Sequence, residues 1–455
     1  MKATAAVVLL SGALVPAQAA IPDEVAAMLR EVDAARIEES VRILCGFGTR
    51  HVLSRDDLDT AGTGAARRWL QAAYEAIAAD PVTGGRLTVA LESATVPVRR
   101  RGMPPELALV NVVATLRGTV DPERIYVVGG HYDSRNSDGT DGEGRAPGAV
   151  DDASGTAAAL EACRVMSRRE FPATILFVAY DGEEQGLLGS GAHAQALAER
   201  GAKVDGMITC DIVGNTTGMD GRTYEDHVRC FSYAPTGNDS FGRSLARACT
   251  YAADKHLPAA DGFGVKLIFR GDRYGRGGDH RSFFEQGYPA VRFSEPREDF
   301  SRQHQNVTVR DGKEYGDLPD YANFAYTANV TRVVVATLAE LASAPPPPLV
   351  HAARLRREAY DTEVDYTPAT DAAGEPVRCE FVWRATTAPD WTAVVQQAEA
   401  GLEPIRGDRW RATLRGVCLD DVVVGVRSVG AGGHRSRVAT PPEPDRFTNR
   451  TGGGR

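Results

Sequence analysis

Residues 125–152, IYVVGGHYDSRNSDGTDGEGRAPGAVDD, decide how the rest of the chain is read. The run opens with four apolar residues closed by Gly129 and Gly130, the pattern of a short buried strand. That strand delivers His131, with Asp133 two residues on. A Gly-rich acidic loop follows and ends in Val150-Asp151-Asp152-Ala153-Ser154-Gly155. Ala157-Ala158-Ala159-Leu160-Glu161-Ala162 then reads as a helix. An imidazole and several carboxylates thus arrive at one strand end, beside a helix start.

Working outward, the pattern repeats. Residues 87–96, 110–116, 173–180 (ATILFVAY), 204–210 and 290–294 read as strands. Residues 37–44, 61–79, 155–167, 190–200, 240–255, 281–286 and 321–342 read as helices. Alternation of this kind predicts an α/β fold, a mostly parallel central sheet flanked by helices. Ligands of such sheets bind outside the carboxyl ends of the strands. After 125–128 come His131 and Asp133, and the loop closes on Asp151-Asp152. After 173–180 come Asp181, Glu183 and Glu184; after 204–210 comes Asp211; after 290–294 come Glu295 and, further on, His304. Singly, each has a bland reading. His-x-Asp is a common surface pair, Glu-Glu a solvated helix start, and Asp151 a helix cap. Together at successive strand ends they define a crevice whose carboxylates repel one another unless cations neutralise them. An oxygen and imidazole donor set without thiolate suits zinc, and also accepts cobalt or manganese.

The remainder of the chain frames this crevice. Pro345-Pro346-Pro347-Pro348 is a stiff spacer. Beyond it, short alternating runs at 380–384, 391–395, 410–414 and 422–428 predict a small β-sandwich. At the other end, a positive start, an apolar stretch over 5–15 and Ala17-Gln18-Ala19 predict a signal peptide over 1–19. The expected division is 1–19 signal peptide, 20–343 catalytic domain, 344–348 linker, 349–445 sandwich and 446–455 disordered tail. The expected setting is export, to the periplasm or the extracellular space. No later run is long enough to span a membrane. A net charge of -9 without a basic stripe argues against nucleic acid, and the expected assembly is a monomer. Seven cysteines show no Cys-x-x-Cys zinc spacing. Cys230 with Cys249, and Cys379 with Cys418, are candidate disulfides on proximity alone. Cys210 is expected in the core, on the sheet face opposite Asp211.

Five segments carry a family resemblance: Gly130-His131-Tyr132-Asp133-Ser134, Asp151-Asp152-Ala153-Ser154-Gly155, Gly182-Glu183-Glu184-Gln185-Gly186-Leu187-Leu188-Gly189-Ser190, Asp211-Ile212-Val213-Gly214 and Gly278-Asp279-His280-Arg281-Ser282-Phe283. In this order, across 36–342, the chain resembles the M28 family of zinc aminopeptidases, in particular their exported bacterial type. The resemblance implies two Zn2+ ions, one on His131 and Asp211, the other on Glu184 and His304, with Asp151 bridging them. It implies that Glu183 is the general base, and that Asp133 and Asp152 support the ligands, Asp152 through a cis peptide. It implies a peptide substrate with a free N-terminus. Gln303 stands where relatives often place a tyrosine that donates to the oxyanion. Asp279, His280 and Asn215 are expected to line the substrate pocket. Residues 135–147 leave two readings open, a lid or an additional Ca2+ site, although the spacing is not that of an EF-hand. The end of the chain, around 424–436, resembles a fibronectin type III-like domain. The competing activity on the same fold is a single-zinc glutaminyl cyclase-like acyltransferase, which the fuller ligand set argues against.

Overall fold

The computed structural model describes residues 23–233, 239–258 and 262–442; the expected signal peptide and the tail lie outside them. Three helices open the described chain: α1 (Asp23–Glu31), α2 (Ala34–Gly46) and α3 (Gly62–Ala78). Eight strands then build one sheet: β1 (Leu87–Pro97), β2 (Glu106–Leu116), β3 (Asp121–His131), β4 (Ala173–Tyr180), β5 (Lys203–Cys210), β6 (His227–Ser232), β7 (Gly264–Ile268) and β8 (Ala290–Ser294). Their order across the sheet is β1-β2-β4-β3-β5-β8-β6-β7. The centre, β4-β3-β5-β8, is parallel. The flanks are mixed, because β2 joins β4, and β6 joins β8, antiparallel.

The middle strands are buried on both faces, and their side chains alternate between two cores. In β4, Ile175, Phe177 and Ala179 enter the larger core, while Leu176, Val178 and Tyr180 enter the smaller one. The larger core is closed by α4 (Ser154–Met166), α6 (Phe241–His256) and α8 (Phe324–Ser343), together with α1, α2 and α3. The smaller core is closed by α5 (Leu188–Glu199) and α7 (His280–Glu285). This double coverage explains why β4 reads as an unbroken apolar run. Cys210 packs in the larger core, as expected from alternation. Among the described residues, no helix is long and apolar enough to cross a membrane.

After the proline run come two small antiparallel sheets. One has four strands, ordered Leu349–Arg356, Asp361–Thr367, Arg409–Leu414 and Gly401–Arg406; the other has three, ordered Ala393–Gln396, Arg378–Ala385 and Val422–Val429. Val364, Tyr366 and Ala412 of the first share a core with Phe381, Val424 and Val426 of the second. All seven cysteines are free thiols, which corrects both proposed disulfides. Cys230 and Cys249 are in side-chain contact but unbonded, and both are buried in the larger core.

Glu340, on α8, ties the C-terminal sheets to the body. Its buried carboxylate accepts from Lys255 Nζ (2.9 Å), His256 Nε2 (2.8 Å), His434 Nδ1 (3.0 Å) and the Arg435 amide (2.8 Å). Burial opposes its charge, but the His256, His434 and Lys255 partners outweigh that and hold its carboxyl far below the usual range. Removing one member of a buried charge cluster typically costs about 3–5 kcal/mol. Glu340→Gln is therefore expected to lower the melting temperature by several degrees. The Glu340 contribution is complete above the unfolded glutamate pKa, about 4.3, and is lost as pH falls below it. Thermal melts from pH 7 to pH 3 should show the gap between wild type and Glu340→Gln constant down to about pH 4.3 and narrowing below it.

Candidate metal centre

The carboxyl ends of β3, β4 and β5 converge on one cavity of about 1360 Å³. Asp151, Glu183, Glu184, Asp211 and His304 line it, and His131 lies buried beneath. His131 ends β3. Its Nδ1 is 3.1 Å from the Asp133 carbonyl oxygen and 3.4 Å from Asp133 Oδ1, which leaves Nε2 facing the crevice. That Nε2 lies 3.1 Å from Asp151 Oδ1 and 3.9 Å from Asp211 Oδ1. On the other side, His304 Nε2 lies 2.9 Å from both Asp151 Oδ2 and Glu184 Oε1. The two oxygens of Asp151 therefore face two different imidazoles.

Several local devices hold this arrangement. The Asp133 carboxylate accepts the amides of Glu183 and Glu184, both at 3.1 Å, and so fixes the loop after β4. Asp152 follows Asp151 through a cis peptide bond. Its carboxylate accepts the amides of His131 (3.1 Å), Gly155 (2.9 Å) and Ile212 (3.3 Å), joining β3, α4 and the segment after β5. A side chain at Gly155 would meet the Cys210 carbonyl oxygen at 1.9 Å, so α4 packs there only because that residue is glycine. Leu187, Ile212 and His304 all adopt positive φ, near +60°, in the turns that frame the crevice.

Burial would depress the His304 imidazole, yet Glu184 and Asp151 push it up to about 10. His131 is likewise held well above its usual range, where Glu183, Asp133 and Asp151 overcome burial. The Glu183 carboxyl is pushed up by burial and by Asp211 and Glu184, against the pull of His131. The crevice thus demands positive charge. His131 Nε2 and Glu184 Oε1 are buried, make no well-aligned hydrogen bond, and have only the other donors of the crevice at close range. Imidazole and carboxylate donors crowded in this way fit divalent zinc. His131, Asp152 and Asp211 also sit close enough to share an ion. The Asp152 oxygens are already spent on three amides, however, so Asp151 is the better donor.

The expected pocket residues need correcting. Asp279, His280 and Asn215 do not line the cavity. Asp279 lies behind it, fully buried, with its carboxyl pushed up to about 7 by burial. His280 Nε2 bonds the Gly271 carbonyl at 2.7 Å, and the Asn215 amide donates to Glu295 at 2.7 Å. Gln303 does not face the cavity either, and its Nε2 donates to Glu298 at 2.8 Å. In the 135–147 loop, Asp138 accepts from Thr140, and Asp141 from Asn136, Glu143 and Gly144. No cation cluster among the described residues includes this loop.

Other residues were missed. Arg292, fully buried on β8, reaches Asp211 Oδ1 at 2.8 Å and Asp272 Oδ2 at 3.1 Å. Asp317 accepts the amides of Val150 and Asp151 at 3.0 and 2.8 Å. Arg50 donates to the carbonyls of Tyr132, Pro147 and Gly148, bracing the loop on both sides. The available signal was an arginine inside an otherwise apolar strand, as at Arg292.

An α/β sheet with histidines and carboxylates gathered at its strand ends defines a protein suited to hold divalent metal. The family model for peptidase family M28 matches residues 111–328. A probable zinc metalloprotease of Leptosphaeria maculans is 39% identical over 435 residues, 92% of this chain and 97% of that protein. Another, from Pyricularia oryzae, is 40% identical over 94% of this chain and 86% of its own length. The chain belongs to peptidase family M28 of zinc metallopeptidases. These relatives are fungal, in place of the bacterial type expected. The Legionella pneumophila LapA aminopeptidase shares the fold, with a TM-score of 0.52 and 23% identity over 70% of this chain and 75% of that one. LapB from the same organism has a TM-score of 0.51 at 20% identity, over 69% of this chain and 74% of its own.

Because Asp133 holds both the His131 ring and the Glu183–Glu184 backbone, its loss should loosen the donors without touching the core. Asp133→Ala is expected to weaken zinc binding by about 10–100-fold in a chelator competition, with far-UV circular dichroism unchanged.

Proposed function

We propose that this chain is a two-zinc aminopeptidase that hydrolyses N-terminal residues from peptides. The observation that carries this reading is the position of Asp151, whose oxygens face His131 on one side and His304 on the other. His131 and Asp211 would hold one ion, Glu184 and His304 the second, and Asp151 would bridge them. When bound, such a pair supplies Lewis-acid charge that acidifies an attacking water and polarises the peptide carbonyl. Glu183 lines the same cavity with its backbone fixed by Asp133. It takes the water proton on its carboxylate and passes it to the departing amine nitrogen. Assignment to the free N-terminus rests on the aminopeptidases that share the fold.

The same reading keeps the wider expectations: export directed by residues 1–19, a monomer, and the division at 344–348. It keeps a fibronectin type III-like C-terminal unit as a stabilising appendage. The two sheets around one core and the Glu340 anchor support that last role. A calcium site in the 135–147 loop is not retained.

Elemental analysis of the purified chain should give two zinc per chain, and chelation should abolish hydrolysis of aminoacyl anilides. One zinc per chain with cyclisation of N-terminal glutamine would instead identify the cyclase. Glu183→Gln should keep both ions and lose about 10²–10⁴-fold in kcat; turnover within a few-fold of wild type would remove Glu183 from the proton path.

A further inference from the structure

The cavity holds a second charged feature, beside the metal donors rather than among them. Arg100 and Arg135 both line it. Arg100 Nη1 lies 3.3 Å from the Glu184 carbonyl oxygen, and Arg135 Nε lies 3.7 Å from Glu184 Oε2. A side-chain carbon at Gly139 would sit 2.3 Å from Arg100 Nη2 and 2.9 Å from Arg135 Nη1. Two guanidinium groups therefore close on one point of the loop backbone, beside Gly139. The Gly139 carbonyl is engaged by His51 at 3.1 Å and does not serve them.

Arg100 is exposed and Arg135 partly buried, so water screens part of their repulsion, and an anion between them would offset the rest. Among the described residues, the Glu184 carboxylate alone comes within salt-bridge distance of either. The loop's own acids are turned away, since Asp138 and Asp141 are spent on loop amides and side chains. Arg135 Nε is buried without a hydrogen-bond partner. Under the two-zinc reading, the Glu184 charge is committed to a metal ion, which leaves the pair without a counter-charge.

We propose that Arg100 and Arg135 form an anion site that receives a carboxylate of the peptide substrate, on the leaving-group side of the scissile bond. The inference rests on the aminopeptidase reading and names its substrate class: short peptides with a carboxylate close behind the first residue. The planar guanidinium fork matches a carboxylate in shape as well as charge. That carboxylate has two sources, the C-terminus of a dipeptide or an acidic second residue, and the site chemistry is the same for both.

The test compares zinc-loaded full-length protein with R100Q and R135Q. For each, kcat/KM is measured on Leu-Gly, Leu-Gly-amide, Leu-Glu-amide and Leu-Gln-amide. If the terminal carboxylate is bound, the Leu-Gly to Leu-Gly-amide ratio falls about tenfold in the variants, chiefly through KM. If the acidic side chain is bound, the Leu-Glu-amide to Leu-Gln-amide ratio falls instead. Both ratios unchanged in both variants overturns the proposal. A calorimetric titration with glutarate, which needs no turnover, gives a second reading. Binding weakened about tenfold in R100Q and R135Q supports the site, and equal affinity overturns it. Should the wild type cleave none of the four peptides, the aminopeptidase assignment fails by itself, and the glutarate titration still decides the anion site.

Discussion

Negative charge in a confined space governs this molecule. Asp151, Glu183, Glu184 and Asp211 share one crevice, with Asp133, Asp152 and Asp279 buried around it. Left alone, such groups would take up protons or force the site open. The surroundings answer in three ways. Asp133, Asp152 and Asp317 are satisfied by backbone amides, which disperse their charge into the framework. Arg292 is locked between Asp211 and Asp272, and Arg50 braces the loop through its carbonyls. What remains faces the cavity and two imidazoles, and divalent zinc is the natural complement. The family assignment and this electrostatic account agree without depending on each other.

Much of the architecture was legible because both faces of the central sheet are covered. A strand buried on both sides shows as a continuous apolar run, so 173–180 and 290–294 coincide with the observed β4 and β8. Strands with polar residues among the apolar ones left a weaker trace. Neither β6, HVRCFS, nor β7, GVKLI, was read, nor were the first two strands of the C-terminal unit, whose outward positions carry arginine and glutamate. Helix α1 was missed because its nine residues follow directly on the expected leader.

The site divides along a similar line. His131, Glu183, Glu184 and Asp211 follow strands closely, so the rule about strand ends finds them. His304 follows an irregular segment and adopts a left-handed backbone conformation that no local pattern announces; the strand-end rule reached it only loosely, and the resemblance supplied its role. Arg292 was legible only in part. An arginine in an apolar strand signals a buried charge, but its partners, Asp272 and Asp211, are distant in sequence and nothing local names them. The pocket assignment failed at Asp279, His280 and Asn215 because nearness to a motif in sequence was taken for exposure to the cavity. The His280 ring turns to the Gly271 carbonyl, and the Asn215 side-chain amide donates to Glu295 at 3.3 Å.

The spacing of the donors along the chain has a consequence for folding. Asp151 stands between His131 and His304, and the strands that precede the donors, β3, β4 and β5, are separated by helical crossovers. Parallel neighbours of this kind require long loop closures, which makes their assembly slow relative to local structure. The donor set exists only once that assembly is complete, so an ion that binds it has nothing comparable to bind in the unfolded chain. Free zinc then acts on the folding equilibrium by mass action, favouring the native state according to its concentration relative to the dissociation constant. Metal supply would thereby govern how long the finished protein persists as well as how fast it works.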